Sequence, residues 1–109
     1  MEKLRTAKFR GQSGKEYEFD MYPMGQQFTC SAAVYAVVWR YPVEGENRNK
    51  IIYIGETGDL STEFEDHHKR DCLGQWYANC ICIHLDDDLD SRLKKEEDLV
   101  GGQSPPCRD

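Results

Sequence analysis

The sequence lacks any long run of hydrophobic residues. Its longest apolar stretch, residues 32–39, is far shorter than the roughly 20 residues that a membrane-spanning helix requires. The first ten residues, MEKLRTAKFR, also lack the apolar core of a secretory signal peptide. We therefore expect a cytoplasmic protein that has no membrane partner.

Positive charge is also scarce, with 14 Lys and Arg residues against 20 Asp and Glu residues and a net charge of −6. Strong non-specific binding to nucleic acid depends on cationic side chains that displace counterions from phosphates. The acidic balance counts against such binding over the whole surface. It leaves room for a local basic strip.

The cysteine count is five, which is odd. Without a secretory context, reduced thiols are expected. A zinc site is conceivable from the histidines and cysteines of the second half of the chain, namely His67, His68, Cys72, Cys80, Cys82 and His84. The Cys-x-Cys spacing differs from the usual zinc-binding pair, however, and buried free cysteines are ordinary core residues. We therefore expect buried thiols and no zinc cofactor.

The 109 residues, 39% of them hydrophobic and 31% charged, suit one globular domain. Residues 8–22 predict a β-hairpin around the Gly-Gln-Ser-Gly turn, because aromatic and acidic side chains alternate after the turn. We assign residues 1–31 to this N-terminal extension and residues 32–109 to the core. Within the core, strands are predicted over residues 32–41, 51–54 and 79–85, with a polar loop over residues 42–50.

The stretch over residues 51–68 passes from a predicted strand to a predicted helix through Gly55 and a turn. Asp59 or Ser61 can cap that helix, which we expect over residues 60–71. On a helical wheel, His67 falls on the inward face. By itself, this position indicates a hydrogen-bonded core histidine more readily than a functional one.

A last helix is predicted over residues 89–100, ended by Gly101 and Gly102. Its apolar stripe consists of Leu89, Leu93, Leu99 and Val100. Glu96 lies inside this stripe. Because burial of an unpaired charge is costly, Glu96 needs a partner or a metal ion.

Several short motifs follow one another in a recognisable order. They are AVY at residues 33–35, YIG at 53–55, DL at 59–60, His67, EEDLV at 96–100 and PPC at 105–107. Together they resemble the motifs of the GIY-YIG nuclease superfamily, over roughly residues 32–109. The resemblance implies an α+β fold with a small antiparallel central β-sheet flanked by helices.

The resemblance also implies metal-dependent hydrolysis of DNA phosphodiesters. Tyr35 would act as the general base or position the attacking water, and Tyr53 would support the phosphate and water network. His67 would hydrogen-bond nearby. Glu96 would bind Mg²⁺ or Mn²⁺, which prefer carboxylate oxygen. Because tyrosine ionises near pH 10, a basic Tyr35 requires a shifted pKa or a relayed proton.

Two positions depart from the family pattern. Glu63 stands where the family has an arginine that stabilises the phosphate, and Arg108 stands where it has an asparagine. One hypothesis is that Arg108 supplies the missing cation or pairs with Glu63. Substrate contacts are further expected from Gly55, Lys69 and Arg70, while Arg92 is a weaker cationic candidate.

Three classes of function follow from these residues. The first is a working DNA endonuclease that relies on a protein partner for targeting. The second is a weakened or inactive domain that still binds nucleic acid or a partner. The third is a protein-interaction module on the same scaffold. Tyr35, Tyr53, His67 and Glu96 favour the first class. Glu63, Arg108 and the acidic charge balance favour the other two.

Overall fold

The computed structural model describes residues 3–108. Within them the chain forms five strands and three helices. The strands are β1 (Arg5–Arg10), β2 (Glu16–Pro23), β3 (Ala33–Val43), β4 (Glu46–Thr57) and β5 (Cys80–Leu85). The helices are α1 (Leu60–Glu63), α2 (Arg70–Gln75) and α3 (Leu89–Gln103).

The five strands form one sheet in the order β1-β2-β5-β3-β4. All neighbouring strands are antiparallel. The expected α+β class with an antiparallel sheet is therefore confirmed. Strand β5, which comes late in the chain, lies between β2 and β3, so the consecutive pair β1-β2 extends the sheet on the side away from β4.

Each face of the sheet carries its own hydrophobic core, because side chains alternate between the faces of a strand. One core includes Val34, Ala36 and Cys82 and packs against α3 through Leu99. The other includes Tyr35, Val37 and Ile81 and packs against α1, α2 and the C-terminal segment. This second face carries Tyr35 and Tyr53, whereas Glu96 belongs to α3, which packs on the first face, and lies at the β4 edge.

The prediction of a polar loop over residues 42–50 is wrong, because β3 and β4 continue through this segment as paired strands. They are joined by a tight turn at Glu44 and Gly45, whose φ angles are 50° and 84°. Such turns match the twist of the flanking strands. The pairing of β3 with β5 ends at Val38, so Pro42 lies where β3 is an edge strand. Edge positions accept proline, which has no N–H to donate.

The prediction of a single helix over residues 60–71 is also wrong, since α1 and α2 are separate short helices. Of the two expected caps, Asp59 is the one that forms: its carboxylate accepts the Ser61 N–H at 2.9 Å. Between the helices, His67 Nδ1 accepts the Lys69 N–H at 3.1 Å. A local bond of this kind gives the backbone an alternative to the helical ladder.

Helix α3 does not end at Gly101 and Gly102 but continues to Gln103. A Cβ on Gly102 would lie 2.6 Å from the carbonyl carbon of Gly11. The glycine therefore lets the helix approach the turn between β1 and β2, and close approach of two backbones is a common use of this residue.

The apolar stripe expected on α3 is only partly correct. Leu99 is buried, whereas Leu89 and Leu93 are 52% and 45% exposed. Arg92 is buried instead, and its Nε donates to Glu56 of β4 at 2.9 Å. Because it is tied to β4 in this way, Arg92 is an anchor for α3 rather than a cation available to substrate.

The expectation of reduced thiols is wrong for two of the five cysteines. Cys72 of α2 and Cys107 of the C-terminal segment form a disulfide, with Cα atoms 6.0 Å apart. The sequence could not reveal this pair, since the two residues are 35 positions apart. The Cys107 N–H also donates to the Ile52 carbonyl at 3.0 Å, so the tail is bonded to the edge strand β4.

The conceivable zinc ligands do not assemble. Cys72 is used in the disulfide, while Cys80 and Cys82 lie on the opposite sheet face from His67. Among residues 3–108, no group of three His, Cys, Asp or Glu side chains could hold a metal ion by itself. Over the same residues, none of the helices has the length and apolar character needed to cross a bilayer.

Replacing both Cys72 and Cys107 with alanine is expected to lower the free energy of unfolding by about 2–4 kcal/mol, because the disulfide restricts the unfolded chain. Urea unfolding followed by circular dichroism measures the change. Cys30→Ala, at an exposed free cysteine, is the control and should leave stability within about 0.5 kcal/mol. An unchanged unfolding midpoint in the double variant would contradict the assignment of the disulfide.

Candidate functional site

The pairing of β3 with β4 brings the two motif tyrosines together. Tyr35 lies opposite Gly55, and Val37 lies opposite Tyr53. The two tyrosine rings pack on the same sheet face with centroids 6.0 Å apart. Both side chains are almost fully buried, Tyr35 at 1% exposure and Tyr53 at 2%. The resemblance-based site residues on these strands are therefore neighbours in space.

Gly55 lies against both tyrosine rings. A Cβ at this position would lie 2.7 Å from the Tyr35 hydroxyl and 2.8 Å from a ring carbon of Tyr53. Real Cβ atoms essentially never make contacts this short, so both rings would have to shift. Gly55 was expected to contact substrate; its contacts here indicate that it sets the positions of the two rings.

The Tyr35 hydroxyl takes part in two short hydrogen bonds. It donates to Glu63 Oε2 at 2.7 Å, and His67 Nε2 lies 2.7 Å from the same oxygen. Because His67 Nδ1 already accepts the Lys69 N–H, the bonding pattern assigns the ring proton to Nε2. His67 therefore donates to Tyr35, and Tyr35 donates to Glu63.

This environment keeps Tyr35 protonated. Burial, followed by the hydrogen bond to Glu63 and the negative charge of that carboxylate, raises the pKa of Tyr35 well above its ordinary value. All of these causes disfavour the phenolate. Tyr35 therefore cannot act as a base in its ionised form. Glu63 is the group in contact with its hydroxyl that can receive a proton.

His68, which the sequence offered only as a conceivable zinc ligand, belongs to the same cluster. Its Nε2 lies 3.2 Å from the Tyr53 hydroxyl, and its ring stacks on His67 with centroids 4.6 Å apart. His67 is 7% exposed, whereas His68 is at the surface. The adjacent histidine pair was the signal in the sequence, because the single helix expected over residues 60–71 does not form.

Glu96 and Arg108 line one space at the β4 edge. This space is about 300 Å³ and is also lined by Ile54, Pro105 and Cys107. Glu96 is half-buried, as its place on α3 predicts. The Arg108 Nε donates to the Pro105 carbonyl at 2.9 Å, so the tail holds this guanidinium on the same side as Glu96.

Lys69 and Arg70 lie at the start of α2. Arg70 lines a cavity of about 240 Å³ together with His67 and Phe64. Its guanidinium lies 3.5 Å from Asp66, and both of these side chains are highly exposed. A surface ion pair of this kind is weak, so Arg70 can turn towards an anion in that cavity.

The donor set suits a largely hydrated Mg²⁺ or Mn²⁺ rather than a metal enclosed by protein. Glu96 supplies one half-buried carboxylate beside Arg108. Mg²⁺ commonly uses one or two protein carboxylates together with waters and substrate phosphate oxygens. Glu96 therefore fits the expected ligand role when a phosphate contributes the remaining oxygens.

In comparisons with protein-family models, curated protein sequences and solved structures, nothing matches this chain. The features that bear on function are therefore the cluster formed by Tyr35, Tyr53, Glu63 and His67, and the position of Glu96.

Gly55→Ala is expected to destabilise the protein by about 1–3 kcal/mol, because the added methyl group would displace the tyrosine rings. Chemical denaturation measures the effect. The matched control is Gly74→Ala, at a helical position with nothing within 4 Å, which should be neutral or stabilising by up to about 1 kcal/mol. Equal stability of Gly55→Ala and the unchanged protein would contradict the close packing at Gly55.

Tyr35 is expected to keep its proton at pH values where ordinary tyrosines ionise, which is about pH 10. The raised pKa gives the sign of the stability effect: the contribution of Tyr35 is full below the unfolded-state pKa and is lost as pH rises above it. Carbon-13 NMR of labelled tyrosine rings measures the titration. Glu63→Gln should lower the pKa of Tyr35, because it removes the carboxylate charge beside the hydroxyl. Glu65→Gln is the control and should leave that pKa unchanged. Ionisation of Tyr35 near its ordinary pKa in the unchanged protein would contradict the bond to Glu63.

Proposed function

We propose that this chain is a GIY-YIG-type endonuclease-like domain whose hydrolysis of DNA phosphodiesters is weakened by Glu63. The observation that carries the proposal is the 2.7 Å hydrogen bond from the Tyr35 hydroxyl to the Glu63 carboxylate. It joins the tyrosine that the family resemblance assigns to water activation with the residue that departs from the family pattern.

The Tyr35 hydroxyl supports positioning of the attacking water rather than direct base catalysis. It keeps its own proton in the bond to Glu63, and its oxygen accepts a hydrogen bond from the water. As the water oxygen bonds to phosphorus, the proton of the water passes to solvent. The P–O bond to the leaving oxygen breaks, its electron pair stays on that oxygen, and solvent returns a proton to it. The Nε2–H of His67 donates to the Tyr35 oxygen throughout and fixes its orientation. Tyr53, held by His68, orders the adjacent water and phosphate.

The same carboxylate weakens the reaction. In the family, a cation at this position stabilises charge on the phosphate, and loss of one such donor costs about 100- to 1000-fold in rate. Glu63 is also negatively charged and is about one quarter exposed, with 23% of its side chain accessible. It therefore repels a phosphate that approaches Tyr35. Arg70, which lines a cavity together with His67, is a cation placed to offset part of this loss.

A divalent cation held by Glu96 would supply the remaining chemistry by polarising the phosphate and lowering the pKa of a bound water. Glu96 binds the cation in this proposal, and Arg108 limits excess negative charge beside it. The absence of a side chain at Gly55 leaves the space in which the two tyrosine rings keep their positions.

The alternative is a domain that binds nucleic acid or a protein partner without cleavage. The raised pKa of Tyr35 and the position of Glu63 favour it, as does the net charge of −6. A protein partner would then provide targeting. The same variants that test cleavage separate the two functions.

In a supercoiled-plasmid nicking assay with Mg²⁺ or Mn²⁺, Glu63→Arg is expected to raise the nicking rate by about 100-fold or more, because it restores a cation beside the phosphate. Glu96→Ala should abolish nicking. The matched control is Glu65→Arg, which makes the same change of charge at an exposed position two residues away and should leave the rate unchanged.

Nicking that is equally increased by Glu63→Arg and Glu65→Arg would show a general charge effect and contradict the assigned position of Glu63. If the unchanged protein and Glu63→Arg are both silent at high protein concentration, the endonuclease proposal fails. The non-cleaving alternative then replaces it.

A further inference from the structure

The outer half of the β3-β4 pair extends beyond β5, whose pairing with β3 ends at Val38. In this half, Trp39 lies directly opposite Lys50, and Tyr41 lies directly opposite Arg48. Directly opposed residues of an antiparallel pair project from the same face. Two aromatic and two cationic side chains therefore share one face of this projecting ribbon.

The end of α2 adds two more aromatic residues. The Tyr77 ring lies 5.7 Å from Trp39, whose other neighbour Tyr41 is 4.4 Å away. Lys50 Nζ lies 5.5 Å from the centre of the Trp76 ring. We call these six residues the aromatic–basic surface: Trp39, Tyr41, Arg48, Lys50, Trp76 and Tyr77. Tyr77 is 71% exposed and Trp76 is 38% exposed.

The backbone holds Tyr77 in a costly conformation. Its φ is 61°, which is unusual for a bulky residue. The adjoining segment is anchored to β3, because the Asn79 side chain accepts the Arg40 N–H at 2.7 Å and donates to the Arg40 carbonyl at 2.9 Å. The exposed Tyr77 ring is thus supported over the ribbon rather than left on a loose loop.

We propose that the aromatic–basic surface binds single-stranded nucleic acid. Unpaired bases would stack on the exposed rings of Tyr77 and Trp76, which Trp39 and Tyr41 support from below, and phosphates would bind Arg48 and Lys50. Aromatic platforms flanked by cations are the general means by which proteins hold single strands without reading sequence. This function goes beyond cleavage and does not require the Tyr35–Glu63 pair to be active.

Single strands fit better than duplex because stacking requires bases whose faces are open. The phosphate contribution here is small: Arg48 and Lys50 are the two cations of the surface, and Glu44 and Glu46 lie at the nearby turn. Non-specific duplex binding depends mainly on neutralising many phosphates. We therefore expect an affinity dominated by stacking, with a shallow dependence on salt.

Intrinsic fluorescence gives a direct readout, since the chain has two tryptophans and both Trp39 and Trp76 lie on the aromatic–basic surface. Titration of the full chain with a twelve-nucleotide oligothymidylate should quench this fluorescence. The logarithm of the binding constant should fall with the logarithm of salt concentration with a slope of about −1.4, the value for two phosphates on a single strand. A duplex of the same length should bind more weakly.

Tyr77→Ala should weaken binding by about 5- to 140-fold, the equivalent of one stacked base. Arg48→Ala with Lys50→Ala should weaken it and flatten the salt slope. The charge-matched control, Lys8→Ala with Lys15→Ala, changes two exposed lysines near the other edge of the sheet and should retain binding. Thermal melts confirm that each variant is folded.

Absence of quenching at high oligonucleotide concentration would overturn the proposal. Binding that survives both surface variants would overturn it as well, because the strand would then lie elsewhere. Self-association that is detected by sedimentation and lost in Tyr77→Ala, without oligonucleotide binding, would assign the surface to protein contact. None of these outcomes depends on nicking activity, so this test and the nicking assay fail separately.

Discussion

The pairing of β3 with β4 is the constraint on which the rest of the structure depends. It buries apolar side chains on both faces of the strands and sets Tyr35 opposite Gly55. The missing side chain of Gly55 leaves the space that the two tyrosine rings occupy. A shift of register by one residue would send every side chain to the other face, and the candidate site would be lost with it.

Burial of the Tyr35 hydroxyl imposes a second requirement, since a buried polar group must be hydrogen-bonded. Glu63 and His67 meet it from the segment that follows β4. That segment consists of a short helix and turns rather than one long helix. His67 can therefore accept the Lys69 N–H with one ring nitrogen and face Tyr35 with the other. The disulfide from Cys72 then secures the start of α2 to the tail.

One strand face connects the two proposed functions. Tyr35, Trp39 and Tyr41 occur at odd positions of β3 and so project to the same side. Tyr35 and Trp39 are separated by roughly 14 Å along the strand, at about 3.4 Å per residue. A single strand held on the outer part of this face would therefore have its continuation close to the Tyr35–Glu63 cluster. The aromatic–basic surface and the Tyr35–Glu63 cluster thus lie next to each other on the β3-β4 pair.

The sequence by itself determined the α+β class, the buried strands and the half-buried place of Glu96, because alternation and amphipathic periodicity are local properties of the chain. It also indicated Tyr35, Tyr53 and His67 through motif order. Only the tertiary structure decided their partners. A bulge near Val37 and Val38 leaves Ile52 without a direct partner in β3, so residues beyond it change face. Lys50 thereby joins the face of Tyr53, which simple alternation would not place there. The Cys72–Cys107 bond likewise depends on folding, since contacts between distant residues leave no local pattern.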